Sequence, residues 1–277
     1  MPKRLSLSQV KTELIFPGSL TKYTVDALGY LYEETSILTT RSGSRVGLVF
    51  GPAIVPSQNG PASISKPLYL LFFYGNGMSL ATSSEVLAYF QLLGLNVLIA
   101  EYEGYGMSSG HASEEGCYAS ADAAYFYLTE TLQVLPAQIL VGGWSLGAAV
   151  AIDLACRQQI AGLLAFSPFT TLVEEAKVLL PWVPQPLIQW FMQERFDNLS
   201  KIRQITCPIL LAHGTRDSLV PFKMAEKLAQ EARASRLVTL LPLYGFEHWD
   251  LFEAEREELR HGIEDFLFQV RHEVEPH

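Results

Sequence analysis

From residue 68 onward, short apolar runs alternate with longer helical stretches, and this alternation limits the folds available to the chain. The apolar runs are continuous, which is typical of strands buried on both faces of a parallel sheet. The predicted strands are Leu68–Phe73, Asn96–Ala100, Gln138–Val141, Ile160–Phe166, Ile209–Ala212 and Leu237–Leu241. The predicted helices are Ser83–Leu93, Ser120–Leu132, Leu146–Arg157, Phe222–Ala234 and Trp249–Val270. The pattern predicts an α/β fold with a mostly parallel sheet flanked by helices.

The region before residue 68 has a different pattern. Residues 1–33 show no clear periodicity, and we interpret them as an irregular approach segment. Two β-like runs follow, Ser36–Thr40 and Arg45–Phe50, and the turn residues Ser42-Gly43-Ser44 join them. They predict an N-terminal antiparallel hairpin. The stretch Gly51–Lys66 is rich in proline and is predicted to be a surface loop.

One interval interrupts the strand–helix alternation. Between Phe166 and Pro208 no strand is evident, and the segment is rich in proline and in aromatic residues. Such an interval is too long for an ordinary connection between two strands. We interpret residues 168–207 as a small helical cap inserted into a single α/β domain that spans residues 1–277. The alternative, in which its aromatic residues pack into the main core, remains open.

Composition and charge argue against several classes of function. A net charge of −9 and a pI near 5.2 provide no cationic field for nucleic acid. The three cysteines match neither a disulfide framework nor a metal site: Cys117, Cys156 and Cys207. No run of about 20 apolar residues could span a bilayer, and the N-terminus lacks the apolar centre of a signal peptide. We expect a cytoplasmic protein with no integral membrane segment, no metal and no organic cofactor.

A G-x-S-x-G motif, Gly143-Trp144-Ser145-Leu146-Gly147, lies between a predicted strand and an alanine-rich helix. In this setting the serine occupies a tight strand-to-helix turn, and the small neighbours allow the backbones to approach. The N-terminal amides of the helix point toward the place where an oxyanion would develop. We predict Ser145 as a nucleophile; the alternative is a merely structural glycine turn.

A serine hydroxyl is too weak an acid to attack a carbonyl unaided at neutral pH, so it needs a base. His248 lies in the loop between the last predicted strand and the last helix, and this loop can return over the sheet edge. His111 lies in a loop that we expect at the surface. His213 ends a strand and is expected to be a hydrogen-bonded structural residue. The predicted base is therefore His248.

The base needs a carboxylate that fixes its tautomer and stabilises the imidazolium. Asp217 follows the preceding strand, so its loop neighbours that of His248. Four other acidic residues fit less well. Glu247 and Asp250 are too close in sequence to His248, and Asp122 and Asp153 lie in helical stretches that we expect to face solvent. The order Ser145, Asp217, His248 predicts a catalytic triad.

A tetrahedral intermediate also needs hydrogen-bond donors for its oxyanion. One predicted donor is the backbone N–H of Leu146, the residue after the nucleophile. The second predicted donor is the amide of Asn76, in the turn that follows the strand Leu68–Phe73. These two amides form the predicted oxyanion hole.

Together these motifs resemble the α/β-hydrolase superfamily. The resemblance is closest to the branch with an HGN-type oxyanion loop, which includes depalmitoylase-like and serine-aminopeptidase-like members. The motifs that carry it are Tyr74-Gly75-Asn76-Gly77, Glu101-Tyr102-Glu103-Gly104-Tyr105-Gly106-Met107-Ser108, Gly143-Trp144-Ser145-Leu146-Gly147, Ser167-Pro168-Phe169, His213-Gly214-Thr215-Arg216-Asp217 and Glu247-His248. They run in order from about residue 68 to residue 250, and they are specific for fold and triad but not for substrate.

The sequence departs from that branch at two positions. Members usually carry histidine where this chain has Tyr74, and commonly aspartate where it has Glu101. The tyrosine either substitutes in packing, the interpretation we favour, or donates its phenol to the oxyanion. The departures bear on the hydrogen bonding of the loop and leave the triad residues unchanged.

The resemblance and the motifs predict a serine hydrolase that cleaves carboxylic esters or thioesters through an acyl-enzyme. An apolar pocket for a small-molecule or acyl substrate is expected around five residues: Tyr74, Trp144, Trp182, Trp190 and Phe191. The rival reaction is amide cleavage of the aminopeptidase type, with carboxylates near a substrate amine: Glu174, Glu175 or Glu194. A third possibility is a non-catalytic scaffold that binds a ligand or partner. The sequence does not specify the oligomeric state.

Overall fold

A computed structural model of the protein describes residues 12–28, 34–54, 66–192, 194–252 and 257–274. The described residues form an eight-stranded sheet with the order β1-β2-β4-β3-β5-β6-β7-β8. Its strands are β1 (Glu34–Thr39), β2 (Arg45–Gly51), β3 (Tyr69–Phe73), β4 (Asn96–Ala100), β5 (Ile139–Trp144), β6 (Gly162–Phe166), β7 (Ile209–Gly214) and β8 (Val238–Leu243). The β1–β2 and β2–β4 pairs are antiparallel, and every other pair is parallel. The predicted α/β-hydrolase fold is confirmed.

Among the described residues, the α-helices of five or more residues are α1 (Ser84–Leu92), α2 (Glu114–Phe126), α3 (Leu146–Arg157), α4 (Leu172–Leu179), α5 (Gln185–Phe191), α6 (Asn198–Ile202), α7 (Lys223–Glu231) and α8 (Glu257–Val274). A π-helical turn, Tyr127–Thr131, continues α2. Two of them begin elsewhere than predicted. Helix α2 starts at Glu114, because the Ser113 side chain accepts a hydrogen bond from the Gly116 amide at 3.0 Å and caps the helix. The described part of helix α8 covers Glu257–Val274, and Leu251 and Phe252 form a turn where the helix was predicted to begin.

The predicted N-terminal hairpin is present. Gly43 has a φ of 83°, and the Thr40 amide donates to the Ser44 carbonyl at 2.8 Å, which closes the turn between β1 and β2. Glycine tolerates this left-handed backbone because it has no Cβ. Most of the predicted surface loop, residues 55–65, lies outside the described residues.

Residues 12–28 are the described part of the segment that was expected to be irregular, and they contain regular structure. They include a 3₁₀ turn, Pro17–Leu20, and a short helical turn, Val25–Leu28. Phe16 and Leu28 are buried in the main hydrophobic core. Two buried apolar anchors therefore hold this segment against the domain. Within the described ranges, no helix is both long and apolar enough to cross a membrane.

Helices α4, α5 and α6 lie in the segment between β6 and β7 that includes the predicted cap, which we call the insertion (residues 168–207). Near its two ends, Phe169 and Phe196 are buried, with ring centroids 6.3 Å apart. In its middle, Trp182 and Trp190 are 75% and 72% exposed. The two phenylalanines therefore pack into the core, as the alternative interpretation of this segment expected, whereas the two tryptophans do not.

Candidate active site

Ser145 occupies the single residue between the end of β5 and the start of α3. Its φ of 56° and ψ of −113° lie in a region that residues with a side chain rarely adopt. The Ser145 amide donates to the Phe166 carbonyl at 2.9 Å, which holds the turn against β6. Such a strained turn, maintained by its surroundings, is the arrangement that exposes a nucleophilic hydroxyl at the edge of a sheet.

Close backbone contacts explain why glycines flank the serine. A Cβ on Gly143 would collide with the Gly147 carbonyl, and a Cβ on Gly147 would collide with the Phe73 carbonyl at the end of β3. Both collisions involve backbone atoms, which cannot move aside as a flexible side chain can. The two glycines therefore allow α3 to begin directly against β3 and β5.

Asp217 and His248 lie in the loops that follow the adjacent parallel strands β7 and β8. The His248 Nδ1 lies 2.7 Å from an Asp217 carboxylate oxygen, Oδ2. The two residues are only 6% and 2% exposed, so solvent screens this contact little. The carboxylate accepts a hydrogen bond from Nδ1–H, so the hydrogen stays on Nδ1 and Nε2 of the imidazole is the nitrogen with the free lone pair.

Asp217 receives hydrogen bonds at both carboxylate oxygens. Its Oδ1 accepts from the amides of Leu219 and Val220 at 3.0 and 2.7 Å. Its Oδ2 is also 3.3 Å from Nε2 of the buried His213. Burial alone would raise the pKa of Asp217, but hydrogen bonds from His213, His248 and Val220 outweigh it and hold the pKa well below its usual range. Asp217 is thus ionised at neutral pH.

The tautomer of His213 follows from its contacts. Its Nε2 lies 2.7 Å from the Val220 carbonyl oxygen, which only accepts, so Nε2 carries the hydrogen. The same N–H faces Asp217, while the buried Nδ1 has no hydrogen-bond partner in the described structure. His213 is therefore hydrogen-bonded, as expected, and it also contacts the Asp217 carboxylate. The separation of four residues in His213-Gly214-Thr215-Arg216-Asp217 was the available signal for this contact.

The segment around His248 is anchored beside the serine turn by aromatic packing. The Trp144 ring lies 5.8 Å from the imidazole and 5.7 Å from the ring of Phe252. Phe252 in turn lies 5.2 Å from Phe166 at the end of β6. Trp144 directly precedes Ser145, so this packing brings the imidazole and the nucleophile turn to one edge of the sheet. The sequence did not single out Phe252, because its partners are distant along the chain.

The turn after β3 contacts the serine turn directly. A Cβ on Gly75 would lie 3.4 Å from the Trp144 carbonyl and 3.7 Å from the Ser145 Cβ, which is van der Waals distance. Within the described residues, the amides of Asn76 and Leu146 donate no hydrogen bond. Two amides without partners therefore flank the serine turn, as an oxyanion site requires.

The structure distributes the predicted pocket residues between the core and the surface. Trp144 is 6% exposed, and its ring also contacts that of Trp249 at 5.4 Å. Tyr74 is fully buried against Tyr102, with ring centroids 4.8 Å apart. The aromatic residues in the middle of the insertion differ, being partly or largely exposed: Trp182, Trp190 and Phe191.

The three glutamates considered as possible amine ligands have different environments. The Glu174 carboxylate contacts the Thr170 hydroxyl and lies 3.3 Å from Nζ of Lys227. Glu194 accepts a hydrogen bond from the Glu114 amide at 3.0 Å. Glu175 makes no ion pair or side-chain hydrogen bond within the described residues. Burial, together with the negative charge of Asp217, raises the pKa of Glu175 to about 7.

The described residues contain no group of three or more histidine, cysteine, aspartate or glutamate side chains placed to hold a metal ion. The three cysteines are free thiols. Burial raises the pKa of Cys117 well above its ordinary value and that of Cys207 to about 12. A thiol with a raised pKa is a poor nucleophile.

Comparison with protein-family models finds a match to the dienelactone hydrolase family over residues 106–248. This range includes Ser145, Asp217 and His248. The chain is also 32% identical over 217 residues to an uncharacterized protein of Mycobacterium tuberculosis, covering 78% of this chain and 73% of that protein. It is 32% identical over 219 residues to human alpha/beta hydrolase domain-containing protein 17B, covering 79% of this chain and 70% of the relative.

Solved structures with the same fold include the esterase Pf2001 from Pyrococcus furiosus and an alpha-beta hydrolase from Vibrio vulnificus. The esterase superimposes with a TM-score of 0.69 at 18% identity, covering 90% of this chain and 94% of that chain. The Vibrio hydrolase superimposes with a TM-score of 0.69 at 21% identity, covering 97% of this chain and 94% of that chain. At these identities the similarity concerns the fold alone.

Proposed function

We propose that this chain, which belongs to the dienelactone hydrolase family of the α/β-hydrolase superfamily, cleaves carboxylic ester or thioester bonds through Ser145, His248 and Asp217. The observation that carries the proposal is the 2.7 Å contact between His248 and the ionised Asp217 beside a strained serine turn. A buried carboxylate that accepts a hydrogen bond from Nδ1–H keeps the imidazole in the tautomer that can act as a base. Members of the family are hydrolases, so the chemistry agrees with the comparison.

In the proposed reaction, Nε2 of His248 removes the proton of the Ser145 hydroxyl as its oxygen attacks the substrate carbonyl. The negative charge of Asp217 stabilises the imidazolium that forms. The amides of Asn76 and Leu146 donate to the developing oxyanion. Because neither amide donates to another of the described residues, both can donate to the oxyanion without breaking a hydrogen bond seen there.

The tetrahedral intermediate then expels the alcohol or thiol, which takes the proton from His248. This leaves the acyl group as an ester on Ser145. A water molecule gives a proton to His248 as its oxygen attacks the acyl carbonyl. The second tetrahedral intermediate then releases the carboxylic acid as the Ser145 oxygen takes that proton back from His248. No step requires a metal or an organic cofactor.

The acyl side of the substrate is proposed to be apolar. The insertion is proposed to act as a cap within a single domain that spans residues 1–277. Trp144 and Trp249 supply aromatic surface next to His248, with ring distances of 5.8 and 5.1 Å. Apolar and aromatic lining with few polar groups is typical of sites for small organic ligands. Trp182 and Trp190 provide further apolar surface on the insertion.

The proposal is tested by hydrolysis of p-nitrophenyl esters of increasing acyl length, with wild type and Ser145→Ala compared. We expect hydrolysis by the wild type and a loss of at least about 1000-fold in kcat/KM in the variant. Ser42→Ala, on the exposed hairpin turn, serves as a matched serine control with unchanged activity. Equal turnover by wild type and Ser145→Ala would contradict the assignment.

Glu175 supports a second candidate function, cleavage of an amide next to a free amine. Its carboxyl group has no ion pair within the described residues and experiences the negative charge of Asp217. A substrate ammonium would relieve this repulsion between two acidic groups. The test compares aminoacyl arylamides with p-nitrophenyl esters. Amide activity that falls in Glu175→Gln while ester activity persists would favour the aminopeptidase-like reaction.

A further inference from the structure

The two departures from the family pattern, Tyr74 and Glu101, are in contact with each other. The Tyr74 hydroxyl lies 3.5 Å from a carboxylate oxygen of Glu101, Oε1, and both residues are fully buried. The tyrosine begins the turn that carries Asn76, so the carboxylate contacts the first residue of the proposed oxyanion turn. The two departures therefore form one local structure.

Glu101 joins three separate parts of the chain. Its Oε1 accepts from the hydroxyl of Tyr23, in the N-terminal segment, and from the Leu80 amide at 3.4 Å. The Tyr23 hydroxyl also accepts from the Leu80 amide at 3.1 Å. The second carboxylate oxygen of Glu101, Oε2, accepts from the Met107 amide at 3.0 Å and from the Ser108 hydroxyl at 3.3 Å. Hydrogen bonds from this many donors offset the cost of burying the Glu101 carboxylate, and the shared carboxylate fixes the donors relative to one another.

Asn76 itself is held through its side chain. Its Nδ2 donates to the Ile15 carbonyl at 2.6 Å, and its Oδ1 accepts from the Tyr105 hydroxyl at 2.9 Å. The Tyr105 ring packs against Tyr74 and Tyr102, with centroids 6.2 and 5.2 Å away. The side chain of Asn76 is thus fixed from both ends, while its backbone amide has no hydrogen-bond acceptor among the described residues.

We propose that Tyr23 and Tyr105 are positioning residues that hold the turn of residues 74–80, so that the Asn76 amide is preorganised to receive the oxyanion. Tyr23 acts through Glu101 at both ends of the turn, since Glu101 contacts Tyr74 and Leu80. Tyr105 acts through the side chain of Asn76. A donor already fixed in place stabilises the transition state without reorganisation during the reaction. This inference rests on the proposed serine-hydrolase function.

The positioning role predicts a specific kinetic signature. Deleting either hydroxyl keeps the aromatic ring and its packing, so Tyr23→Phe and Tyr105→Phe should remain folded. We expect each variant to lower kcat for a short p-nitrophenyl ester about tenfold, with KM changed less than about twofold, because a mobile donor affects the transition state most. Affinity for a trifluoromethyl ketone, which forms a tetrahedral adduct, should fall in parallel with kcat. Tyr125→Phe, whose hydroxyl donates to the Gln159 carbonyl outside the site, is the matched control with unchanged kcat.

Hydrogen exchange of the amides in residues 74–80 provides a readout that does not depend on activity. We expect faster exchange there in Tyr23→Phe, and unchanged exchange in Tyr125→Phe. Wild-type kcat and wild-type inhibitor affinity in both folded variants would overturn the proposal. A wild type without Ser145-dependent turnover would contradict the proposed function instead. In that case hydrogen exchange alone would test the positioning role of Tyr23. Unchanged protection of residues 74–80 in Tyr23→Phe would overturn that role.

Discussion

The candidate active site and the middle of the insertion differ in how far their side chains are buried and held in place. At the site, Ser145, Asp217 and His248 are 8%, 6% and 2% exposed, and backbone contacts, aromatic packing or hydrogen bonds fix their surroundings. In the insertion, Trp182 and Trp190 are 75% and 72% exposed. The contrast separates the groups proposed to do the chemistry, which need a rigid frame, from the groups proposed to meet the variable part of a substrate.

The pKa values of one carboxyl group in each region are shifted in opposite directions. The carboxyl group of Asp217 has a pKa below its usual range, because donors surround both oxygens. The carboxyl group of Glu175, on the insertion helix α4, has a pKa raised to about 7 by burial and by the charge of Asp217. Hydrogen-bond donors stabilise the charge of Asp217, whereas Glu175 has no positively charged partner in the part of the chain that the structure describes. Changes in the two regions should therefore have different sizes and different pH dependences.

The largest expected effect on stability is that of Gly147→Ala. The added methyl group would collide with the Phe73 carbonyl, so α3 or β3 must shift. We expect a loss of about 3 kcal/mol or more in the free energy of unfolding, measured in urea, together with loss of activity. Gly245→Ala is the matched control. Its Cβ meets nothing within 4 Å, and the φ of 84° alone should cost about 1 kcal/mol. Equal losses in both variants would contradict the close-packed turn.

Asp217→Asn should have the next largest effect, about 2 kcal/mol of destabilisation at pH 7. Because the pKa of Asp217 is lower in the folded state, its contribution is present above the unfolded pKa of about 3.9 and is lost as the pH falls. The difference in unfolding free energy between wild type and variant should therefore shrink by about 1 kcal/mol between pH 7 and pH 3. A difference that grows in acid would contradict the assigned charge state.

Glu175→Gln should act in the opposite direction. Because the pKa is raised in the folded state, ionisation above the unfolded value of about 4.3 weakens folding as the pH rises toward 8. We expect the variant to exceed wild type by on the order of 1 kcal/mol in unfolding free energy at pH 8, and by less at pH 5. Glu174→Gln, whose carboxylate is paired with Lys227, should show no such gain. A destabilised Glu175→Gln at pH 8 would indicate a positive partner for this group.

Trp182→Ala should have the smallest effect on stability, within about 0.5 kcal/mol, because its side chain is mostly exposed. Phe169→Ala, at the buried start of the same insertion, should cost about 3 kcal/mol in urea unfolding. For activity, we expect Trp182→Ala to raise KM for long-chain esters while kcat for short-chain esters is retained. A large loss of stability in Trp182→Ala would mean that the indole packs into the protein.

The strand–helix alternation was sufficient to predict the fold because buried parallel strands carry continuous apolar runs, which few other structures require. The start of α2 was missed because Gly116 weakens the helical pattern, although Ser113 followed by two glutamates is an N-terminal signal. Asp122 and Asp153 were expected to face solvent, and the structure shows both nearly buried and paired with Arg157 at 2.7 Å. That pairing joins two helices, and a single helix pattern does not reveal it.

The candidate site was predictable to a similar extent. Ser145, Asp217 and His248 were named because each follows a predicted strand, and parallel strands bring their carboxyl ends to one edge. The contacts of Glu101 were not predicted, since its partners Tyr23 and Tyr74 are 78 and 27 residues away along the chain. Which long-range partners meet is decided by tertiary packing, and composition and spacing do not encode it locally.

The most direct test of the central claim is labelling with a fluorophosphonate, followed by peptide mapping. A fluorophosphonate phosphonylates a serine only where a base activates the hydroxyl and donors stabilise the adduct, so it reports the whole site. We predict a single adduct on Ser145 in wild type and its loss in His248→Gln, with Trp182→Ala labelled like wild type. A folded wild type that is not labelled, or is labelled at another residue, would contradict Ser145 as the nucleophile.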